Sequence, residues 1–345
     1  MNTSLDNPKF FFTGLKMLRF IGPTVQSEDE LNTLVELHPE IEEIQIGSGG
    51  YGIRNSISNR CLGSLLRLPE LTHLKLWCPV LSGDGGLNML SAPHLPLKYV
   101  ELKHCRITDE CLSLLLEKCV HLEHLDIQGT QVSGENLTFS QGVPPIKDLN
   151  LSCCKHLSDC GLINLVKMLG STLEFLNIGQ TKLSLQNLAL IKKPLKIKRL
   201  QCWHCHNLRD EGLKQIIKKL GSSLQQLDLK LTLISGESLR SLKVSMPLLR
   251  DLNCFGSSLS DPGLLNLIRL SGPALKSLNI GYTMVSGELP LANTLPLLEV
   301  LDCNGCCRLS PEGLAELVNA FGDNLKSVNV EYSKLWRSQE LQYAG

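Results

Sequence analysis

The sequence predicts an α/β solenoid of stacked repeats, a horseshoe with a parallel sheet on its concave face and helices or turns on its convex face. Segments of the form LxxLxL recur 23 to 27 residues apart along 345 residues. That spacing holds one strand and one helix or turn per unit, and roughly thirteen units fit the chain. The clear copies begin at Leu71, Leu97, Leu122, Ile146, Leu173, Ile197, Leu224, Leu249, Leu275, Leu298 and Leu325, and weaker copies are Leu15/Leu18/Phe20 and Ile41/Ile44/Ile46.

Each repeat begins with a strand and continues into a turn and a helix, as the unit that starts at Leu97 shows. Inward and outward residues alternate along its strand, and the outward ones form the concave surface. Cys105 fits the turn after the strand, because free cysteine is small and usually buried. Thr108 is placed to cap the helix that follows. Apolar residues at helical spacing then face the strand, namely Leu112, Leu115 and Leu116.

A second period of two repeats is superimposed on the first. Every other unit is shorter and carries a hydroxyl residue in place of the cysteine, at Thr130, Thr181, Thr232, Thr283 and Ser333, with intervals of 51, 51, 51 and 50 residues. Their descending segments read VSGENL, LSLQNL, ISGESL and VSGELP, and Pro290 is unsuited to a helix interior. We therefore expect helices in the long units and turns or helical stubs in the short ones.

The long units repeat one order of residues: cysteine, a buried aliphatic, SD or TD, then GL or CL. This pattern resembles the cysteine-containing class of leucine-rich repeat, found in the substrate-binding arms of F-box proteins. The resemblance implies protein binding on the concave sheet, with a role as substrate receptor or adaptor of a cullin-type ubiquitin ligase. A helical F-box would precede such repeats, yet the repeat pattern already starts at Leu15. The alternative is a scaffold, sensor or regulator unrelated to ubiquitin.

The domain organisation and charge follow from the repeats and the composition. We expect divergent repeats over residues 1–70 and a regular array over residues 71–345, in one continuous solenoid, because stacked repeats contact only their neighbours. Lys plus Arg and Asp plus Glu both number 34. A balanced chain favours neither nucleic acid nor an anionic membrane as partner.

The cysteines and short motifs predict neither an enzyme nor a metal or cofactor site. Cys202/Cys205 and Cys303/Cys306 have the CxxC spacing of half a zinc site or a redox pair. They also fall in register with core positions, so we interpret them as reduced core residues. The chain has no GxxxxGK[ST], GxSxG or HExxH motif, and these are the patterns that phosphate loops, nucleophile elbows and zinc proteases need.

Localisation is predicted to be cytoplasmic, with the nucleus as the alternative. The N-terminal residues lack the basic region and cleavage site of a signal peptide, and no apolar stretch is long enough for a bilayer. The basic stretch at 192–199 fits a nuclear-import signal, but it also fits a solvated loop that enters a strand at Ile197.

Candidate partner-binding residues lie at outward positions of the strands. The middle column is polar, and its members either hydrogen-bond along the sheet or contact a partner: Lys75, Glu101, Asp126, Asn150, Asn177, Gln201, Asp228, Asn253, Asn279, Asp302 and Asn329. The flanking columns carry large rings that the fold does not require, and aromatic and arginine side chains often anchor interfaces. The candidates are Trp77, Tyr99, Phe175, Arg199, Gln201, Trp203, Phe255 and Tyr282. Packing of the rings against their neighbours on the sheet is the alternative.

Overall fold

A computed structural model describes residues 14–21, 28–47, 65–77, 95–138, 142–289, 295–321 and 324–333. The chain divides into two compact units, Met1–Leu157 and Ser158–Gly345, which are taken in turn. The expected change from divergent to regular repeats at residue 70 stays a prediction. The N-terminal residues 1–13, which bear on the absence of a signal peptide, lie outside the described residues.

The first unit contains parallel strands joined by helices or turns. Its strands are β1 (Met17–Ile21), β2 (Glu43–Gly47), β3 (His73–Trp77), β4 (Tyr99–Lys103), β5 (His124–Asp126) and β6 (Asp148–Asn150), and its helices are α1 (Glu28–Leu37) and α2 (Asp109–Lys118). Each strand pairs in parallel with the next one in the chain. Equivalent positions of successive repeats are therefore neighbours on the sheet.

The second unit repeats this arrangement with greater regularity. Its strands are β7 (Phe175–Asn177), β8 (Arg199–Gln201), β9 (Gln226–Asp228), β10 (Asp251–Asn253), β11 (Ser277–Asn279), β12 (Val300–Asp302) and β13 (Ser327–Asn329). Its helices are α3 (Asp159–Leu169), α4 (Asp210–Leu220), α5 (Asp261–Ser271) and α6 (Pro311–Phe321). Here too, consecutive strands pair in parallel and in register.

The predicted alternation of long and short repeats is confirmed. The helices α2 to α6 follow β4, β6, β8, β10 and β12, which are the strands of the long repeats. In the short repeats, β7 and β9 are followed by single 3₁₀ turns at Gln186–Leu190 and Glu237–Ser241. Within the described residues 131–138 and 284–289, the short segments after β5 and β11 contain no helix.

The core lies on the inward side of the strands, and the alternating threonine and cysteine close it at each turn. Leu176 of β7 and Leu200 of β8 border the same small apolar cavity as Leu162 of α3, so helices cover this side of the strands. At the turn, Thr181 Oγ1 and Cys205 Sγ both donate to the carbonyl of Ile178, at 2.7 and 3.1 Å. The same pairing recurs for Thr130 with Cys154 and for Thr283 with Cys306.

An aspartate at the start of a long-repeat helix fastens that helix to the following short repeat. Asp210 accepts hydrogen bonds from the N–H groups of Ser235, Gly236 and Ser238 and from Ser235 Oγ, at 2.9 to 3.2 Å. We call this contact the aspartate clamp; it is repeated by Asp109, Asp159 and Asp261.

The helix of the next long repeat also approaches the clamped segment closely, and this approach requires glycine. A Cβ on Gly263 of α5 would lie 1.8 Å from the carbonyl oxygen of Ser235. The clamp and this contact together explain why the helix-starting GL motif and the SG of the short repeat recur with one common period.

Candidate functional site

The outward face of the sheet in the second unit consists of three columns of side chains. The first column contains the first residue of each strand: Phe175, Arg199, Gln226, Asp251, Ser277, Val300 and Ser327. The second column contains the third residue: Asn177, Gln201, Asp228, Asn253, Asn279, Asp302 and Asn329. The third column contains the second residue after each strand: Gly179, Trp203, Lys230, Phe255, Gly281, Asn304 and Glu331.

Most of the second column serves the turns that end the strands. The side-chain oxygen of each Asn or Asp in this column accepts the backbone N–H two residues further on, at 2.9 to 3.1 Å. This local bond stabilises a turn and explains a polar residue there without any partner. Gln201 stands in the same column without such a bond among the described residues. Its amide is therefore not committed to the turn.

The rings of the second unit pack against glycines of neighbouring repeats. A Cβ on Gly179 would lie 2.3 Å from the indole of Trp203, and one on Gly281 would lie 3.0 Å from Phe255. The Phe255 ring is 5.1 Å from that of Tyr282. Covering a glycine of the neighbouring strand with a ring stabilises a sheet. One side of the Trp203 and Phe255 rings thus packs along the sheet, as the alternative interpretation expected. Both side chains nevertheless remain half-exposed.

Tyr282 occupies the turn beyond β11 and is 53% exposed. Its backbone has a φ of 53°, a left-handed conformation that is unfavourable for a large side chain. Its N–H continues the sheet bonding to Asn304 at 2.7 Å, which holds the conformation in place. Tyr282 therefore stands at the edge of the face rather than among the three columns.

A shallow depression of about 300 Å³ lies across β8 to β11, on the outward face of the second unit. Its polar lining consists of Arg199, Gln201, Gln226, Asp228, Asp251, Asn253, Ser277 and Asn279. Arg199 is exposed, and its guanidinium lies 4.5 Å from the centre of the Phe175 ring. The structure thus brings Arg199 and Gln201 together at the depression, with Phe175 beside Arg199.

The flanking rings lie in the third column on either side of β9. Trp203 follows β8 and Phe255 follows β10, and neither lines the depression. Between them, Lys230 places its ammonium 5.1 Å from the centre of the Phe255 ring. The sequence missed Gln226 and Asp251 as site residues, because polar side chains at outward positions look like an ordinary solvated surface, and it assigned Asp228 only to the polar middle column.

Trp77 and Tyr99 belong to the first unit, where they surround Glu101. Trp77 Nε1 donates to Glu101 at 3.3 Å, Tyr99 donates its hydroxyl to the same carboxylate, and Lys103 lies 2.9 Å from it. Burial opposes ionisation of Glu101, but these hydrogen bonds hold its pKa below the usual value. The Tyr99 ring also stacks on His124 with 4.0 Å between centroids. These two candidates are therefore engaged in a side-chain network on the sheet.

The cysteines of the described residues carry thiols rather than disulfides. Both CxxC pairs are buried, and burial raises the pKa of Cys202, Cys205, Cys303 and Cys306. Thiols with raised pKa values are poor nucleophiles and poor metal ligands at neutral pH. Within the part of the chain that the structure describes, no group of three or more His, Cys, Asp or Glu side chains could hold a metal ion.

Two further sequence interpretations bear on localisation. Within the basic stretch, Ile197 is 1% exposed and Lys198 forms an ion pair of 2.9 Å with Glu174, as expected for a loop that enters a strand. Among the described helices, none is both long and apolar enough to cross a membrane.

Solved structures with the same architecture establish the class of fold. The complex of Rad7 and Elc1 from yeast aligns with a TM-score of 0.54 and 19% identity, over 93% of this chain and 77% of that chain. A leucine-rich repeat protein of Leptospira interrogans aligns with a TM-score of 0.52 and 16% identity, over 95% of this chain and 88% of that one. No family model matches the sequence. The protein has the α/β leucine-rich repeat fold.

Proposed function

We propose that the protein is a protein-interaction module, without chemistry of its own, that binds a partner on the outward face of its second unit. The observation that carries the proposal is the depression lined by Arg199 and Gln201. In the described part of the chain, Gln201 does not take part in the turn bonds that account for the other residues of the second column, and Arg199 lies beside it in the first column. Exposed arginine beside half-exposed Trp203 and Phe255 is the residue combination that anchors protein interfaces.

A more specific form of this proposal is a substrate receptor or adaptor of a cullin-type ubiquitin ligase. Two observations support it. The cysteine-containing repeats resemble those of F-box proteins, and Rad7, which shares the fold, forms a complex with Elc1. In this form, the sheet face would hold the substrate and another surface would contact the ligase. The competing proposal is a scaffold, sensor or regulator that acts without ubiquitin.

The balanced charge of the chain supports a protein partner rather than nucleic acid or a membrane surface. We propose a cytoplasmic location, with the nucleus as the alternative. Fluorescence microscopy of a tagged chain, with and without alanines at the lysines of 192–199, distinguishes the two.

The test is affinity purification with quantitative mass spectrometry from native cells, using three forms of the protein. The face variant carries Arg199→Ala, Gln201→Ala and Gln226→Ala, which leave the turn bonds and the rings intact. The control variant carries Leu190→Ala, Arg209→Ala and Lys218→Ala at exposed positions away from the strands. Circular dichroism checks that all three forms fold.

A partner that is recovered with the wild type and the control variant, but lost from the face variant, supports binding on the sheet face. Equal recovery with all three forms contradicts it. Recovery of cullin with both variants supports the ligase receptor. Its absence, alongside a partner that depends on the face, leaves the scaffold function.

A further inference from the structure

Asp228 differs from the other carboxylates of the polar middle column in its lack of a side-chain donor. In the first unit, Asp126 lies 3.2 Å from the Lys103 ammonium and accepts the Asn150 amide at 3.0 Å. In the second unit, Asp302 accepts the Asn279 amide at 3.0 Å. Within the described residues, Asp228 accepts only the backbone N–H of Lys230, at 2.9 Å on Oδ1. Its Oδ2 is therefore open to a donor from outside the chain.

The surroundings of Asp228 favour binding of a positive charge at this open oxygen. The side chain is half-buried and lines the depression at the centre of the outward face. Burial raises its pKa, and the nearby Lys230 only partly opposes this effect. A carboxylate that has lost part of its water and forms no ion pair binds an incoming positive charge more strongly than a solvated one does.

The charged side chains that the structure describes around Asp228 do not form an ion pair with its carboxylate. Asp251 also lines the depression, and one of its oxygens accepts the Gln226 amide at 3.1 Å. The two neighbouring cations are held against rings, Arg199 on Phe175 at 4.5 Å and Lys230 on Phe255 at 5.1 Å. Within the described residues, no Lys, Arg or His side chain forms an ion pair with Asp228 or Asp251.

We propose that the depression receives an arginine or lysine side chain of the partner protein, with Asp228 Oδ2 as its acceptor. The proposal rests on the proposed function and specifies the chemistry of the partner. The amide carbonyls of Gln201 and Asn253, on the strands at either side of Asp228, are further acceptors for the same group. A guanidinium suits this arrangement, because its several N–H groups can reach acceptors side by side.

The test uses three capped tripeptides, Gly-Arg-Gly, Gly-Lys-Gly and Gly-Gln-Gly, as probes of the complete ¹⁵N-labelled chain. The side-chain amide signals of Gln201 and Asn253 report binding in NMR spectra. The variant Asp228→Asn removes the charge and keeps the turn, because asparagine makes the same turn bond at other positions of this column, such as Asn253 and Asn279. Asp302→Asn is the matched control, since Asp302 lies in the same column but does not line the depression.

We expect the two cationic peptides to shift both amide signals in the wild type and in Asp302→Asn. Asp228→Asn should weaken this binding by at least about tenfold, as expected when a charge-assisted hydrogen bond is lost. Equal binding of the neutral peptide, equal binding by Asp228→Asn, or no localised shift with the cationic peptides would overturn the proposal.

Failure of this inference can be told from failure of the proposed function. If the cationic peptides do not bind but the face variant still loses its partner, the sheet face binds protein and the cationic specificity is wrong. If partner recovery is the same for all forms, the proposed function itself is wrong.

Discussion

Removing one aspartate clamp should destabilise the second unit although no core residue is changed. In Asp210→Ala, three backbone N–H groups and one hydroxyl lose the acceptor that they share at 2.9 to 3.2 Å. Gly236 is buried and Ser238 is exposed, so water can replace only part of this bonding. Hydrogen bonds to a charged group contribute roughly 1.5 to 3 kcal/mol each to stability. Because these bonds share one carboxylate and are not additive, and because water replaces part of them, we expect a loss of about 2 to 4 kcal/mol.

Urea unfolding followed by circular dichroism measures the global effect, and amide hydrogen exchange measures the local one. The matched control is Glu211→Ala, which also removes an acidic residue from the first turn of α4. Among the described residues, the Glu211 carboxylate accepts side-chain hydrogen bonds only from Lys214 and Gln215 of its own helix, at 3.1 Å each. Its loss should therefore leave the unfolding free energy nearly unchanged. Protection of the Gly236 amide should disappear in Asp210→Ala. Equal behaviour of the two variants, with protection retained, would refute the role of the clamp.

Acid should weaken the clamp in a defined pH range. Burial opposes ionisation of Asp210, but the hydrogen bonds from Gly236, Ser238 and Ser235 outweigh it and hold its pKa below the usual value. A carboxyl whose folded-state pKa is lowered stabilises the fold above its unfolded pKa of about 3.9, and this contribution is lost as the pH falls through the folded-state value. The stability difference between wild type and Asp210→Ala should therefore shrink below about pH 4. A difference that is constant from pH 7 to pH 3 would contradict this.

Two further substitutions test the core and the ring packing. Leu176→Ala should destabilise the protein by about 2 to 5 kcal/mol in urea unfolding, because Leu176 is 3% exposed and the change leaves a cavity. The control Leu190→Ala, at a side chain that is 60% exposed, should have little effect. Equal effects of the two substitutions would contradict the predicted repeat register. Gly179→Ala should displace the Trp203 indole and red-shift the tryptophan fluorescence, since the new Cβ would lie 2.3 Å from the ring. In the control Gly142→Ala, the new Cβ meets nothing within 4 Å. Identical spectra of the two variants would show that the position of the ring does not depend on Gly179.

The repeat architecture could be predicted from the sequence because it depends on residue type at fixed spacing. Inward leucines such as Leu176, the turn cysteine Cys205 and the alternating Thr181 each mark one position of a unit. Short segments with SG and proline have no room for a helix, so the alternation of long and short repeats also followed. These signals are local, and stacking repeats them.

Contacts between repeats could not be predicted, because they depend on which atoms meet across neighbouring units. The recurring SG pairs of the short repeats are visible in the sequence. The hydrogen bonds of one such pair, Ser235 and Gly236, to Asp210 depend on how neighbouring repeats pack. Asn253 is a polar residue at an outward position, which from the sequence could contact a partner. In the structure its side-chain oxygen accepts the backbone N–H of Phe255 at 3.0 Å and so supports the turn. Trp203 could be identified as a candidate from its large ring. Its packing against Gly179 could not be predicted, because Gly179 belongs to the preceding repeat.

For the candidate site, the sequence predicted which residue types would lie on the outward face better than it predicted which of them would lie close together. Arg199 and Gln201 do meet at one depression. Trp77 and Tyr99 instead take part in a network of the first unit. Asp228 was assigned only to the polar middle column, because its open oxygen becomes apparent only when its hydrogen bonds are compared with those of other aspartates.

Photo-crosslinking in cells, with a benzophenone amino acid placed at single positions, shows directly which face of the protein binds the partner. Gln201 reports on the depression, and Lys218, exposed on α4, reports on the helical side. Binding on the sheet face predicts a discrete crosslinked protein from position 201 and none from position 218, with the product identified by mass spectrometry. A crosslinked partner from position 218 but not from position 201 would show that the protein binds through its helices, and would contradict binding on the sheet face.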